Sequence, residues 1–349
     1  GRGLQGMTHG AQKNFGTIRD QNFSSAMRRL VVSPYQSIAE LKKKLLIQIL
    51  VRKKGDTNMR TYDDEVAVVT VMDEEAAPWG FENPVFSTDL PLIWGSTYRM
   101  GGQSKAPYDS FNMAYHVGDD KDDVLANRLI VAEYLKVIPE RLTNANQVHG
   151  LNVVKVDESN VGAGAFDLES AIQDADALMT NLPKAPLLLF TADCVAVGMY
   201  DPVHQAIAVV HAGWKGTIGD LPAITLDQMA KEYGTRPEDC YVFLGPSIGP
   251  ESFEVSEDLA ERFRLAESDH IEAGHDTVVA YLQRPGSSHK TPHVDLWAYT
   301  VDALTMRGVA RDKIVVSGTD SMTSPYCYSY RREEGKTGRM AMFMMLLEK

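Results

Sequence analysis

Two apolar runs, 195–200 and 206–210, separated by Asp201-Pro202-Val203-His204, constrain this chain more than any other feature. Asp-Pro is a turn signal, and two strand-length apolar runs around it read as a hairpin. With residues 201–204 as the loop, Tyr200 faces Gln205. Counting outward along both strands, Cys194 faces His211. Directly opposed residues project from one face with Cβ atoms about 4.5–5.5 Å apart. A thiol and an imidazole are therefore expected to meet at the open end of the hairpin, and a one-residue slip would separate them.

A Cys–His pair has three chemical readings: a metal site, a nucleophile with its base, or an inert buried pair. A third ligand would decide for metal, and Asn146-Gln147-Val148-His149-Gly150 offers His149. Arg99 beside Gly101 and Gly102 sets a guanidinium next to flexible backbone, as an anion site would. Tyr330-Arg331-Arg332-Glu333 and Thr337-Gly338-Arg339 form a second cationic cluster. Gly335-Lys336-Thr337 resembles the tail of a phosphate-binding loop, but Tyr330 stands where the earlier glycine is required, so nucleoside triphosphate binding is excluded. His116, His204, His270, His275, His289 and His293 are expected on surfaces or caps. No H-x-H pair occurs among the nine histidines, which excludes a cupredoxin-type laccase.

Composition bounds the rest. With 44% hydrophobic and 23% charged residues, the 349-residue chain is globular, neither disordered nor fibrous. The longest apolar run, 185–200, is broken by Asp193 and falls short of a membrane span. Three cysteines make no disulfide scaffold, so a reducing, cytoplasmic setting is expected. The net charge of −12 hides an asymmetry: residues 1–60 hold 12 Lys/Arg against 3 Asp/Glu, and the remainder is strongly acidic. An acidic body argues against nucleic acid as a partner. Residues 1–58 are expected to be a disordered or appended basic leader with one helix in 38–51, translation starting naturally at Met59 or later. The domain is expected to span 59–349. Strands are expected at 66–71, 92–97, 187–190, 195–200, 206–210, 241–244 and 314–316. Helices are expected at 119–135, 226–233, 256–264, 294–307 and 338–347. This is a mixed pattern with antiparallel pairing, an α+β chain.

Eight segments in order carry a resemblance: R-x-G-G at 99–102, S-F-N-M-A-Y-H-V-G-D-D at 110–120, N-R at 127–128, N-Q-V-H-G at 146–150, T-A-D-C at 191–194, H-A-G-W-K-G-T at 211–217, G-P-S-I-G-P-x-x-F-E-V at 245–255 and S-Y-R-R-x-x-x-x-T-G-R at 329–339. Together they resemble the YfiH family of laccase-domain proteins, first described as polyphenol oxidases and later as purine nucleoside phosphorylases with adenosine deaminase activity. The resemblance covers 90–349. It implies a single α+β domain of layered mixed sheets flanked by helices, and zinc or copper held by His149, Cys194 and His211. It implies purine nucleosides and phosphate as substrates, or phenols in the oxidase reading. Substrate and phosphate contacts then fall to Arg99, Gly101, Gly102, Asn112, Arg128, Gln147 and Lys215. Asp193, Cys194 and His211 are the catalytic candidates, with Asp193 either a proton carrier or a turn residue bonded to backbone. A metal-stabilised interaction protein is the non-enzymatic alternative, and a monomer or small homo-oligomer is expected. Lys215 stands where the family often has Arg, and Glu251-Ser252 and Met322-Thr323 stand where it often has cysteines. A second thiolate-bound copper is therefore not expected.

Overall fold

The computed structural model describes residues 47–49, 68–71, 81–84, 86, 88, 90–284 and 286–348. Its strands are β1 (Ile47–Ile49), β2 (Val68–Val71), β3 (Phe81–Pro84), β4 (Leu92–Thr97), β5 (Thr143–Asn144), β6 (Val153–Lys155), β7 (Ala177–Thr180), β8 (Leu187–Thr191), β9 (Val195–Asp201), β10 (Ala206–Ala212), β11 (Tyr241–Leu244), β12 (Val279–Gln283), β13 (Lys290–Val294), β14 (Ile314–Val316) and β15 (Met340–Leu346). The α-helices are α1 (Lys121–Leu135), α2 (Trp214–Ile218), α3 (Leu221–Tyr233), α4 (Glu257–Ala266), α5 (Ser268–Glu272) and α6 (Leu296–Met306). One sheet runs β1-β2-β3-β4-β15-β8-β5, a second runs β14-β11-β9-β10-β7-β6, and β12 and β13 form a two-stranded ribbon. Both large sheets are mixed: β5 lies parallel to β8, β6 to β7 and β14 to β11, and the other pairs are antiparallel.

Side-chain alternation along the strands builds four layers. Met342, Met344 and Leu346 of β15 point between the sheets, where they join Trp94, Leu187 and Leu189 against Ala196, Tyr200, Ile207, Val209 and Phe243. Ala341, Phe343 and Met345 point the other way, onto Ile130, Val131 and Leu135 of α1. On the far side, Val195, Val197 and Met199 of β9 and Ala206, Ala208 and Val210 of β10 pack against α3, α4 and α6. The order is helix, sheet, sheet, helices. A strand apolar on both faces belongs in such a buried layer. The α1 start follows from Asp120, whose carboxylate accepts from the N–H groups of Asp122 and Asp123.

Three expectations need correction. The expected helix at 338–347 is the strand β15, buried at every position. A run of Met, Phe and Leu has no period to separate helix from strand. Fully burying each large apolar side chain is worth roughly 1.5–3 kcal/mol, more than the ~0.7 kcal/mol spread of ordinary helix propensities. Burial on both faces therefore decides. The expected helix at 38–51 lies outside the described residues except for Ile47–Ile49, which is a strand; the leader 1–58 otherwise lies outside them, as do Val66 and Ala67. Finally, His270 and His293 are buried rather than superficial. The His270 ring lies 4.6 Å from that of Tyr299, and His293 Nδ1 bonds the Thr291 carbonyl.

Candidate metal centre

The hairpin forms with a register two residues from the expected one. Asp201 stays in β9, because its Oδ1 accepts from the N–H groups of Val203 and His204 and ties the loop to the strand end. Asp201 therefore faces Ala206, and His211 faces Ala196. Continuing the ladder sets Cys194 opposite Gly213. A two-residue shift preserves the face, so Cys194 and His211 still project together, as diagonal rather than direct neighbours. Gly213 makes the diagonal contact possible: a Cβ there would lie 3.1 Å from Cys194 Sγ and 3.0 Å from the His149 ring.

Three chain segments converge at the rim between the two sheets. Residues 192–194 cross from β8 in one sheet to β9 in the other. His211 lies in β10, at the end away from the loop. His149 sits in the loop after β5, with a left-handed φ of 59°. Gln147 fastens that loop to β8, donating to the Phe190 carbonyl and accepting from the Phe190 N–H. One ligand atom from each of His149, Cys194 and His211 lies within 4.8 Å of the others. Cys194 Sγ is 3.9 Å from His149 Nε2. His149 is exposed, Cys194 half-buried and His211 buried, so the cluster opens on one side to solvent.

Asp176, just before β7, organises this cluster. It faces His211 by continuation of the β7–β10 ladder, and its Oδ1 is 2.7 Å from His211 Nδ1. The same carboxylate accepts from the N–H groups of Val148, His149 and Gly150. Burial opposes its charge, yet His211 and these N–H groups hold the carboxyl below its ordinary value. Burial likewise opposes ionisation of Cys194, but the His211 charge and hydrogen bonds from both histidines lower the thiol below its usual value. Against its own burial, His211 is raised by Cys194 and Asp176. The pair therefore favours thiolate and imidazolium, with His211 Nε2 as the nitrogen not engaged by Asp176.

These donors fit a metal. A tetrahedral zinc with Zn–S of about 2.3 Å and Zn–N of about 2.0–2.1 Å needs ligand-to-ligand edges of roughly 3.5 Å. The 3.9 Å edge between Cys194 and His149 is near that already. Three protein ligands with an open side are the pattern of a catalytic rather than a structural site.

The other sequence candidates fall into two groups. Arg99 pairs with Glu333 at 2.5 Å, lies 3.6 Å from Asp109 and stacks over Tyr328, so its charge is already matched. Arg128 is buried; it donates to the carbonyls of Met113, Gly164 and Ala165 and lies over Tyr115 and Phe190. Burial brings it down to about 10. Gly101 and Gly102 donate their N–H groups to Ser110 Oγ. Asn112, fully buried, accepts from the N–H groups of Ala114 and Arg339. Asp193 accepts from Ser321 Oγ and the Arg331 N–H through its two oxygens, and so braces the loop carrying Arg331. Lys215 is exposed next to Trp214.

Two residues outside those candidates enter the site. The Arg339 guanidinium donates to the carbonyls of Thr337 and Gly338 and has no carboxylate in ion-pair contact among the described residues. It lies within electrostatic reach of Cys194 and Asp193, while burial lowers it. His116 keeps an exposed edge, yet loss of water around it, the cations Arg339 and Arg128 and the nearby His211 and His149 rings push it down to about 4. It is a neutral imidazole at pH 7. Asp176 carries no local signal, being 35 residues from His211, and only the β7–β10 register reveals it.

A family model described as multi-copper polyphenol oxidoreductase laccase matches residues 93–347. The chain is 33% identical over 258 residues to the purine nucleoside phosphorylase YlmD of Bacillus subtilis, across 74% of this chain and 89% of that protein. It is 35% identical over 252 residues to a purine nucleoside phosphorylase of Deinococcus radiodurans, across 72% of this chain and 88% of that one. The crystal structure of YlmD from Geobacillus stearothermophilus superposes with a TM-score of 0.70 at 31% identity, covering 79% of this chain and 98% of that chain. That of Bacillus licheniformis YfiH gives 0.67 at 31% identity, covering 73% and 92%. With its layered mixed sheets and its His-Cys-His cluster, the chain belongs to this laccase-domain family of YfiH- and YlmD-type proteins.

Proposed function

We propose that the protein is a metal-dependent purine nucleoside enzyme that cleaves adenosine and inosine with phosphate and also deaminates adenosine. The observation that carries this reading is the convergence of His149, Cys194 and His211 at an open rim within reach of Arg339, a cation with no carboxylate in ion-pair contact among the described residues. Relatives named purine nucleoside phosphorylase support the substrate class. His149, Cys194 and His211 hold the metal, zinc by preference. When bound, it supplies a Lewis acid and a water acidified to about neutral pH.

Arg339 and Lys215 bind phosphate, because Arg99 and Arg128 are already committed to Glu333 and to backbone carbonyls. Charge-assisted bonds of this kind position a phosphate and stabilise its developing geometry. In phosphorolysis a phosphate oxygen bonds to C1′ as the C1′–N9 bond breaks. The base leaves with the bonding pair and takes up a proton. His116, held well below its ordinary value, is the proposed hydrogen-bonding partner of the leaving base. Asn112 fixes the Arg339 backbone, and Gln147 fixes the His149 loop.

Copper-dependent phenol oxidation is the second reading. Two imidazoles and a thiolate also suit copper, and the matching family model bears that description. Reducing O2 to water takes four electrons, and among the described residues one such His/Cys/carboxylate cluster occurs. The nucleoside reading therefore stands first. The deciding experiment incubates metal-quantified protein with adenosine or inosine and phosphate, and separately with a phenol. Phosphate-dependent release of base is expected; phenol oxidation without base release would reverse the order.

A further inference from the structure

We infer that Asp176 is the positioning residue of the metal centre: one carboxylate that selects the ligating nitrogen of His211 and pins the loop carrying His149. The inference rests on the metal reading above. Its basis is four contacts shared between two oxygens. Oδ1 is 2.9 Å from the His149 N and 2.7 Å from His211 Nδ1. Oδ2 is 3.1 Å from the Val148 N and 2.7 Å from the Gly150 N. The Asp176 carbonyl also accepts from the His211 N–H at 2.7 Å, so backbone and side chain of one residue grip the same ligand.

The chemistry follows from the acceptor count. An ionised carboxylate is acceptor-only, so the proton of His211 belongs on Nδ1 and the Nε2 lone pair is left for a metal. The backbone at His149 holds a φ of 59°, a conformation uncommon for a side-chain-bearing residue. Three successive N–H groups aimed at one carboxylate hold it there. Without Asp176, the His149 loop would lose the anchor common to all three N–H groups, and His211 would be free to adopt the other tautomer. Partners of this kind are commonly worth about 10- to 100-fold in metal affinity.

Asp176→Asn separates positioning from charge alone. The amide has one acceptor oxygen where the carboxylate has two. If that oxygen faces His211 and His149, its NH2 meets the N–H groups of Val148 and Gly150. If it is flipped, the NH2 meets His211 Nδ1 and favours the tautomer protonated on Nε2. Either orientation spoils one arm of the device.

The test uses the full chain. Zinc affinity of the parent and of Asp176→Asn is measured by competition with a chromogenic chelator, beside circular dichroism of the metal-free proteins. Zinc binding weakened about 10- to 100-fold with an unchanged spectrum is expected; binding within a factor of about two of the parent would overturn the assignment. If the variant does not fold, nitrogen NMR of metal-free Cys194→Ala decides, at a pH where the His211 ring is neutral, since no thiolate then competes for the Nε2 proton. A proton on Nδ1 is expected, and a proton on Nε2 with Nδ1 bare overturns the inference. Failure of the parent to bind any metal would count against the metal reading, whereas the tautomer read without the Cys194 thiol judges Asp176 alone.

Discussion

At the scale of single residues, the site separates ligands from cations. Cys194 contributes the only soft donor of the cluster, and its ionisation is already favoured by His211. Cys194→Ser is expected to strip the metal and abolish metal-dependent turnover while circular dichroism stays unchanged, since a domain of this size folds on its own core. Bound metal per chain and nucleoside turnover check this; full metal content in a folded variant would remove Cys194 from the site. For the cations, Arg339→Ala is expected to raise KM for phosphate by about tenfold or more, as loss of a charge-assisted bond worth ~1.5–3 kcal/mol requires. Its metal content should not change. Arg99→Ala should instead lower thermal stability, because Glu333, also bonded to the Ser329 N–H, loses the nearer of its two cations and keeps only Arg332, 3.2 Å away. Phosphate KM and Tm measured on both variants distinguish the roles, and a phosphate defect confined to Arg99→Ala would exchange them. The ligands were legible because Cys194 and His211 flank one hairpin. The cation was not: Arg99 and Arg339 both sit in glycine-containing loops, and only the contacts of Glu333 and Asp109 reveal which is neutralised.

At the scale of elements, the β9–β10 hairpin shows how a register error can leave a functional conclusion intact. A slip of two residues keeps the face, so the thiol–imidazole meeting survives although its partners change. It also moves Gly213 opposite Cys194. Gly213 has φ −65°, which alanine adopts without strain, so the glycine is needed for space rather than for backbone freedom. Gly213→Ala is expected to weaken metal binding moderately, and Gly213→Val more strongly, since added bulk in a filled site typically costs about 1–3 kcal/mol. The far-UV spectrum should be retained in both. Chelator competition on the pair reads the gradient, and equal affinity in all three proteins would show that the cluster has room to spare. Strand β15 carries the complementary lesson. Its apolar run was visible as core, but whether core helix or core strand depended on two layers burying opposite faces of the same segment.

At the scale of the whole molecule, burial of a carboxyl couples the fold to pH. Glu82 in β3 is fully buried, accepts from Tyr98 Oη at 2.7 Å, and is pushed up by burial to about 7. Its folded value exceeds the unfolded one, so the folded state holds an extra proton between pH 4.5 and 7. Stability is therefore lost as pH rises through that window and levels off above it. Glu82→Gln, neutral and similar in shape, is expected to raise Tm by roughly 5 °C at pH 8, with the gain vanishing near pH 5. Thermal melts of both proteins from pH 5 to 8 measure this; parallel curves would mean that Glu82 stays ionised. Among the described residues no helix is long and apolar enough to cross a membrane, and all three cysteines are free.

What the sequence determined by itself was local and periodic. Alternating or continuous apolar runs, helical spacing and an Asp-Pro turn delivered most central strands, α1 and the meeting of Cys194 with His211 on one face. They did so because side-chain direction in a strand repeats every two residues. Tertiary structure decided what depends on contacts between distant segments: the strand state of β15, the joining of His149 to the hairpin, the neutralisation of Arg99 by Glu333, and the grip of Asp176 on both histidines. Those outcomes turn on which charges find partners and which faces are covered. No local pattern encodes that, since the energies involved arise only when separate strands are brought to one rim.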